Sequence, residues 1–169
     1  MKRTLMTLAA TALLVAPATT FAHQPTAKTP NIVGVAAGDP QFSTLVSLVQ
    51  KAGLVGALSG PGKLTVFAPN NAAFAKVPKA TLDALGKDKA LLRSVLTYHV
   101  VKGAVPASTV VTLDGKTVKT LNGATVKIRI TGKAKKSVYV NGSKVLKTDI
   151  AASNGVIHVI NRVLLPPAN

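Results

Sequence analysis

The chain has 169 residues, the size of one ordinary domain, and its 21 Lys and Arg against 5 acidic residues give a formal net charge of +16. A surplus that large draws polyanions of any kind, in a salt-dependent way. There is no cysteine, which excludes disulfides, thiolate nucleophiles, zinc knuckles, iron–sulfur clusters and a cysteine-linked lipid anchor.

Residues 1–22 have the three parts of a secretory signal peptide: Lys2 and Arg3, an apolar run from Leu5 to Val15, and the small-residue site Thr20-Phe21-Ala22. That run is too short to cross a hydrocarbon core, which takes about 20 residues in a helix. A secreted or periplasmic protein is therefore expected, with no transmembrane segment in the mature chain. Residues 23–30 (HQPTAKTP) lack apolar periodicity and read as a disordered lead-in. The domain is expected over residues 31–166.

Asn31 to Ala37 is a short apolar run of one or two helical turns. Asp39-Pro40 opens the next helix, a capping carboxylate followed by proline, with Phe42, Leu45, Val46 and Val49 at core spacing. Gly53 and Gly56 break that pattern before the loop Ser59-Gly60-Pro61-Gly62. Leu64 to Phe74 reads as a short apolar strand stopped at Pro69, followed by an Asn able to cap a helix. Thr81 to Leu85 suggests a helix ending at Gly86. Asp88 caps another with the stripe Leu91, Leu92, Val95 and Leu96, and Tyr98 to Val101 turns extended. From Lys102 the period changes to two. Asp114-Gly115, Asn122-Gly123 and Asn141-Gly142 are hairpin signals, and Thr125 to Ile130 alternates Val126, Ile128 and Ile130 inward with Lys127 and Arg129 outward. Asn154-Gly155 turns into Val156–Leu165, apolar on both faces, which predicts a central strand placed last in the chain. Helices in the first half and strands in the second argue an α+β fold.

Three of these segments, TVFAPNNAAF (65–74), Tyr98-His99-Val100 and NGVIHVINRVLLP (154–166), resemble in order and spacing the two signature segments and the Tyr-His motif of the fasciclin-like domain family. The resemblance implies helices packed on a twisted antiparallel β-wedge. It also implies a non-catalytic adhesion module that meets matrix or cell-surface proteins. Two cell-binding motifs proposed for the family have counterparts in Asp149-Ile150 and Tyr98-His99. The alternative for these residues is inward packing of Tyr98 and Ile150, with His99 satisfying a buried acceptor.

No catalytic constellation emerges. His23, His99 and His158 are far apart without a second ligand at metal spacing. Asp149, Ser153 and His158 lack a nucleophile elbow, and His158 lies in an apolar strand, so a histidine hydrogen-bonded in the interior is expected. Gly62-Lys63, Gly115-Lys116 and Gly132-Lys133 are turns rather than phosphate loops, because Ala57, Val110 and Lys127 stand where the Walker glycine would be. Neither cofactor nor metal is expected. Between Lys102 and Lys147 the cations face Asp114 alone. Lys127, Arg129 and the turn with Lys133, Lys135 and Lys136 form a candidate anion-binding surface, the alternative being an ordinary solvated face. Acidic polysaccharide or anionic lipid headgroups suit an exported chain. Nucleic acid suits it poorly, since the chain has no Trp and only two Tyr for stacking. The second functional reading is a carrier for a small apolar or anionic ligand, such as a lipid or glycan, which needs a cavity of roughly 300 Å³ or more.

Overall fold

The computed structural model describes residues 29–132 and 136–166. The expected signal peptide, the lead-in up to residue 28, and Lys133 and Lys135 lie outside the described residues.

Local chemistry sets the helix starts. Asn31 caps α1 (Ile32–Ala37), its side-chain oxygen accepting from the Gly34 N–H at 2.8 Å. Asp39 accepts from the Gln41 N–H at 3.1 Å, and Pro40 opens a 3₁₀ turn (Pro40–Phe42) that leads into α2 (Ser43–Ala52). Gly53 ends α2 at φ 70°, a left-handed cap that costs glycine little. The chain then forms α3 (Val55–Ser59), which the sequence reading missed by taking Gly56 as a breaker. β1 (Leu64–Pro69) is followed by α4 (Asn71–Ala75), which Asn70 caps through the Ala73 N–H at 2.9 Å. α5 (Lys79–Lys87) runs through Gly86. α6 (Lys89–Tyr98) starts at Asp88, which accepts from the Ala90 and Leu91 N–H groups at 2.8 and 3.1 Å. Leu92, Val95 and Leu96 are buried, but Leu91 is 38% exposed, one position off the stripe. Tyr98 and His99 are the last residue and the cap of α6 rather than extended chain, so β2 covers only Val100–Lys102.

After α7 (Ala107–Val110) come β3 (Thr117–Lys119), β4 (Thr125–Thr131), β5 (Ser137–Val140), β6 (Ser143–Ala152) and β7 (Gly155–Ile160). The seven-stranded sheet has the order β2-β1-β7-β6-β5-β4-β3. Asn122-Gly123 turns β3 into β4. Asn141 (φ 48°) and Gly142 (φ 83°) turn β5 into β6, both residues in the left-handed region that a two-residue hairpin requires. Asp114-Gly115 is not a hairpin. It leads from α7 into β3, held by the Gly115 N–H on the Ile128 carbonyl and the Asp114 carboxylate on the Ile130 N–H.

β7 does lie inside the sheet, antiparallel to β6 and parallel to β1 from Leu64↔Gly155 to Pro69↔Ile160. Every other named pairing is antiparallel. The strand is shorter than its apolar run: it ends at Ile160, and beyond it Leu164 is buried while Leu165 is 44% exposed. Gly155 must be glycine because a Cβ there would collide with the Leu64 carbonyl oxygen of the adjoining strand. The two faces of β7 serve two cores. Ile157 and Val159 join Val66, Ala68 and the apolar faces of α1, α2 and α6. Ile160 joins Phe67, Tyr98, Val126, Ile128, Val140 and Leu164. Helices α1, α2 and α6 thus pack on one side of a mostly antiparallel sheet, while Val110 of α7 joins the core on the other, an α+β fold.

Candidate functional site

The residues that looked most chemical in the sequence are occupied in the interior. The Tyr98 ring is buried, and its hydroxyl donates to the Thr125 carbonyl at 3.1 Å while accepting from the Asn141 side-chain amide at 3.3 Å. His99 is also buried. Its Nδ1 lies 2.7 Å from the Val95 carbonyl, and its Nε2 accepts from the Leu164 N–H at 2.8 Å. This fixes the tautomer with the proton on Nδ1. Burial lowers the His99 pKa to about 4, against the smaller upward pull of the Val95 bond. Tyr98-His99 therefore ties the end of α6 to the β-strands and the C-terminal segment, with neither side chain facing outward.

His158 is buried as well. Its Nε2–H donates to the Val105 carbonyl at 2.8 Å, Nδ1 accepts from the Asp149 N–H at 3.4 Å, and the ring stacks on Phe67 at 5.7 Å. Burial lowers its pKa, partly offset by the Val105 bond and the Asp149 charge. Asp149 sits at φ 57° where the β6–β7 register slips, and its carboxylate accepts from the Ala107 N–H at 2.8 Å, at the start of α7. Ile150 is half-buried against the helical core. The Asp149, Ser153 and His158 trio is thus no charge relay, since both imidazole nitrogens are engaged by backbone groups.

Of the cationic candidates, Lys127 and Arg129 come together, while Lys133 and Lys135 lie outside the described residues. Lys127 and Arg129 project from β4 on the side opposite the buried Val126 and Ile128. Arg129 pairs across the strands with Tyr139, and Tyr139 pairs in turn with Lys144 on β6. Lys127, Arg129, Thr131, Tyr139, Asn141 and Gly142 line an open groove of about 490 Å³. Lys136 is exposed just before β5. Tyr139 and Lys144 were not singled out in the sequence reading. The alternation of Val138-Tyr139-Val140 signals an outward Tyr139, but only the strand register seats it between Arg129 and Lys144.

Elsewhere, Lys51, Lys89 and Arg93 border a wider groove of about 780 Å³ between α2 and α6, with Arg93 Nε donating to the Ala52 carbonyl at 2.9 Å. The apolar cavity between α1, α2, α6 and β1 holds about 30 Å³, the room of one water molecule. No group of three or more His, Cys, Asp or Glu able to hold a metal occurs among the described residues. Nor does a helix long and apolar enough to cross a membrane.

Comparison with known proteins adds the lineage. Residues 40–166 match the family model described as Fasciclin domain. Protein sll1483 of Synechocystis is 46% identical over 141 residues, spanning 80% of this chain and 73% of that protein. The cell surface glycolipoprotein MPB83 of Mycobacterium bovis is 39% identical over 142 residues, spanning 81% of this chain and 61% of that protein. Among solved structures, the FAS1 domain pair of the insect cell adhesion molecule fasciclin I superposes with a TM-score of 0.65 at 21% identity. That match covers 81% of this chain and 51% of the pair, so this chain spans about half its length.

Proposed function

Because the chain belongs to the fasciclin domain family, we propose that it is a non-catalytic interaction module. It works outside the cytoplasm and holds matrix or cell-surface components against its exterior. One observation carries this reading: the outward face of β4 to β6, where Lys127, Arg129 and Tyr139 line an open groove and Lys144 pairs with Tyr139 beside it. Charged groups displayed together on a rigid sheet give a partner a fixed pattern to match. The leader-like pattern of residues 1–22 supports export. MPB83, a cell surface protein by name, is a relative that lives at such a boundary.

Tyr98-His99 contributes to this module from inside, whereas Asp149 is exposed and Ile150 half-buried, so that pair remains at the exterior. Asp149 holds the start of α7, and Tyr98-His99 fastens α6. For a carrier of an apolar ligand the cavity between helices and sheet offers about 30 Å³, an order of magnitude below what a small-molecule site needs, so the open cationic grooves favour an anionic partner instead.

The test is attachment. Cells lacking the chain are scored for adhesion to surfaces and for aggregation, and purified chain is added back. Weakened attachment that the added chain restores supports the reading. Unchanged attachment, with no binding of purified chain to cell envelopes, would sink it.

A further inference from the structure

We propose that the groove of β4, β5 and the Asn141-Gly142 turn, with Lys144 of β6 beside it, takes an acidic polysaccharide, a chain of uronate sugars laid across Tyr139 with its carboxylates on the flanking cations. This rests on the interaction-module reading and names its partner. Neighbouring strands are about 5 Å apart, so Arg129 and Lys144 stand roughly 10 Å from each other with the Tyr139 ring between them. Lys127 follows Arg129 about 7 Å along β4, two residues away on the same face. Lys119 of β3 points the same way, next but one to the residue that pairs with Lys127.

Each part suits one part of such a ligand. The tyrosine offers an apolar ring face with a polar tip, matching a sugar ring that has C–H groups on its face and hydroxyls on its rim. Arg129 offers a planar fork to a carboxylate, and the lysines act as point charges on either side. Two acidic residues belong to this part of the chain, and backbone N–H groups engage both carboxylates: Ile130 that of Asp114, and Ala107 that of Asp149 farther along β6. The field over the face is therefore positive. The groove is open, as a polymer passing through it requires.

Other polyanions fit less well. Among the described residues Tyr139 is the one aromatic side chain that is not buried, whereas single-stranded nucleic acid is held by successive bases on several platforms. A lipid surface would be held firmly only with clustered apolar side chains to insert beside the cations. The exposed large ones, Leu91, Val111, Leu146 and Leu165, are scattered over α6, the end of α7, β6 and the C-terminal segment.

Binding of the purified chain to polygalacturonate, a neutral glucan, a single-stranded oligonucleotide and anionic vesicles at about 150 mM salt decides the matter. Polygalacturonate should bind tightest. Tyr139→Ala, which leaves the net charge unchanged, should weaken it about tenfold, the worth of one stacked ring, while Tyr139→Phe retains it. Lys127→Gln/Lys144→Gln should weaken it more than the equally charged Lys51→Gln/Lys89→Gln at the other basic groove. Unaltered thermal midpoints certify the folds. Wild-type affinity in Tyr139→Ala, equal losses in the two double variants, or tighter binding of the oligonucleotide or vesicles would each overturn the proposal. Should one of these occur while the chain still restores cell attachment, the interaction module stands and only its partner is lost.

Discussion

Acid should loosen this fold through His99, and the size of the effect follows from its surroundings. The imidazole is enclosed by apolar side chains, and its Nε2 accepts from the Leu164 N–H. A proton added there would set donor against donor and release the segment that follows β7. The folded pKa is lowered to about 4, against about 6.5 in an unfolded chain. The unfolded state therefore binds more protons between those values, and stability rises with pH across that window. It is fully present above pH 6.5, falls as the pH drops, and levels off below 4. At about 1.4 kcal/mol per pH unit over about 2.5 units, the loss from His99 alone is about 3 kcal/mol. Urea unfolding of the wild type and of His99→Gln at half-unit steps from pH 7.5 to 3.5 measures it. The variant is less stable at neutral pH, by roughly 1–3 kcal/mol for the orphaned Leu164 N–H. It lacks the His99 proton uptake, so the gap between the two proteins should shift by about 3 kcal/mol in its favour as pH falls from 6.5 to 4. His158 titrates in both proteins and cancels. A gap that stays constant across the window would refute the reasoning.

Three further outcomes are expected. Gly155→Ala forces a Cβ into the Leu64 carbonyl between β1 and β7 and should cost at least about 3 kcal/mol, read as a fall in the thermal midpoint. Leu92→Ala should lose about 2–5 kcal/mol and Leu91→Ala less than about 1 kcal/mol, since Leu92 is 1% and Leu91 38% exposed. Urea midpoints for the pair check this. Ending the chain at Ser153 removes β7 from between β1 and β6 and should abolish cooperative melting by circular dichroism. A sharp transition in that shortened chain would contradict the placement of β7.

What could be read without coordinates was local chemistry. Asn31, Asp39, Asn70 and Asp88 announce helices because a capping side chain reaches only two or three residues ahead. Asn141-Gly142 announces its hairpin because both residues accept left-handed backbone. The double-sided apolar pattern of Val156 to Ile160 places β7 in the middle of the sheet. It says nothing of the partner, and the parallel pairing with β1 joins Leu64 to Gly155, far apart in the chain. Gly56 misled because a five-residue helix packed against α1 tolerates a poor helix former. At the site, alternation alone turned Lys127 and Arg129 outward. Tyr139 and Lys144 joined them only through the β4–β5 and β5–β6 registers, which lie across turns in the chain. Tyr98 and His99 could not be placed from sequence, because a Tyr-His pair has the same letters whether it faces solvent or closes a helix end.

Amide chemical shifts recorded while polygalacturonate is added to the isotope-labelled chain show where the polymer sits. Perturbations should concentrate on Lys127, Arg129, Tyr139 and Lys144, with Lys51, Lys89 and Arg93 unmoved. Shifts centred on the α2–α6 groove, or spread evenly over every basic residue, would contradict that placement.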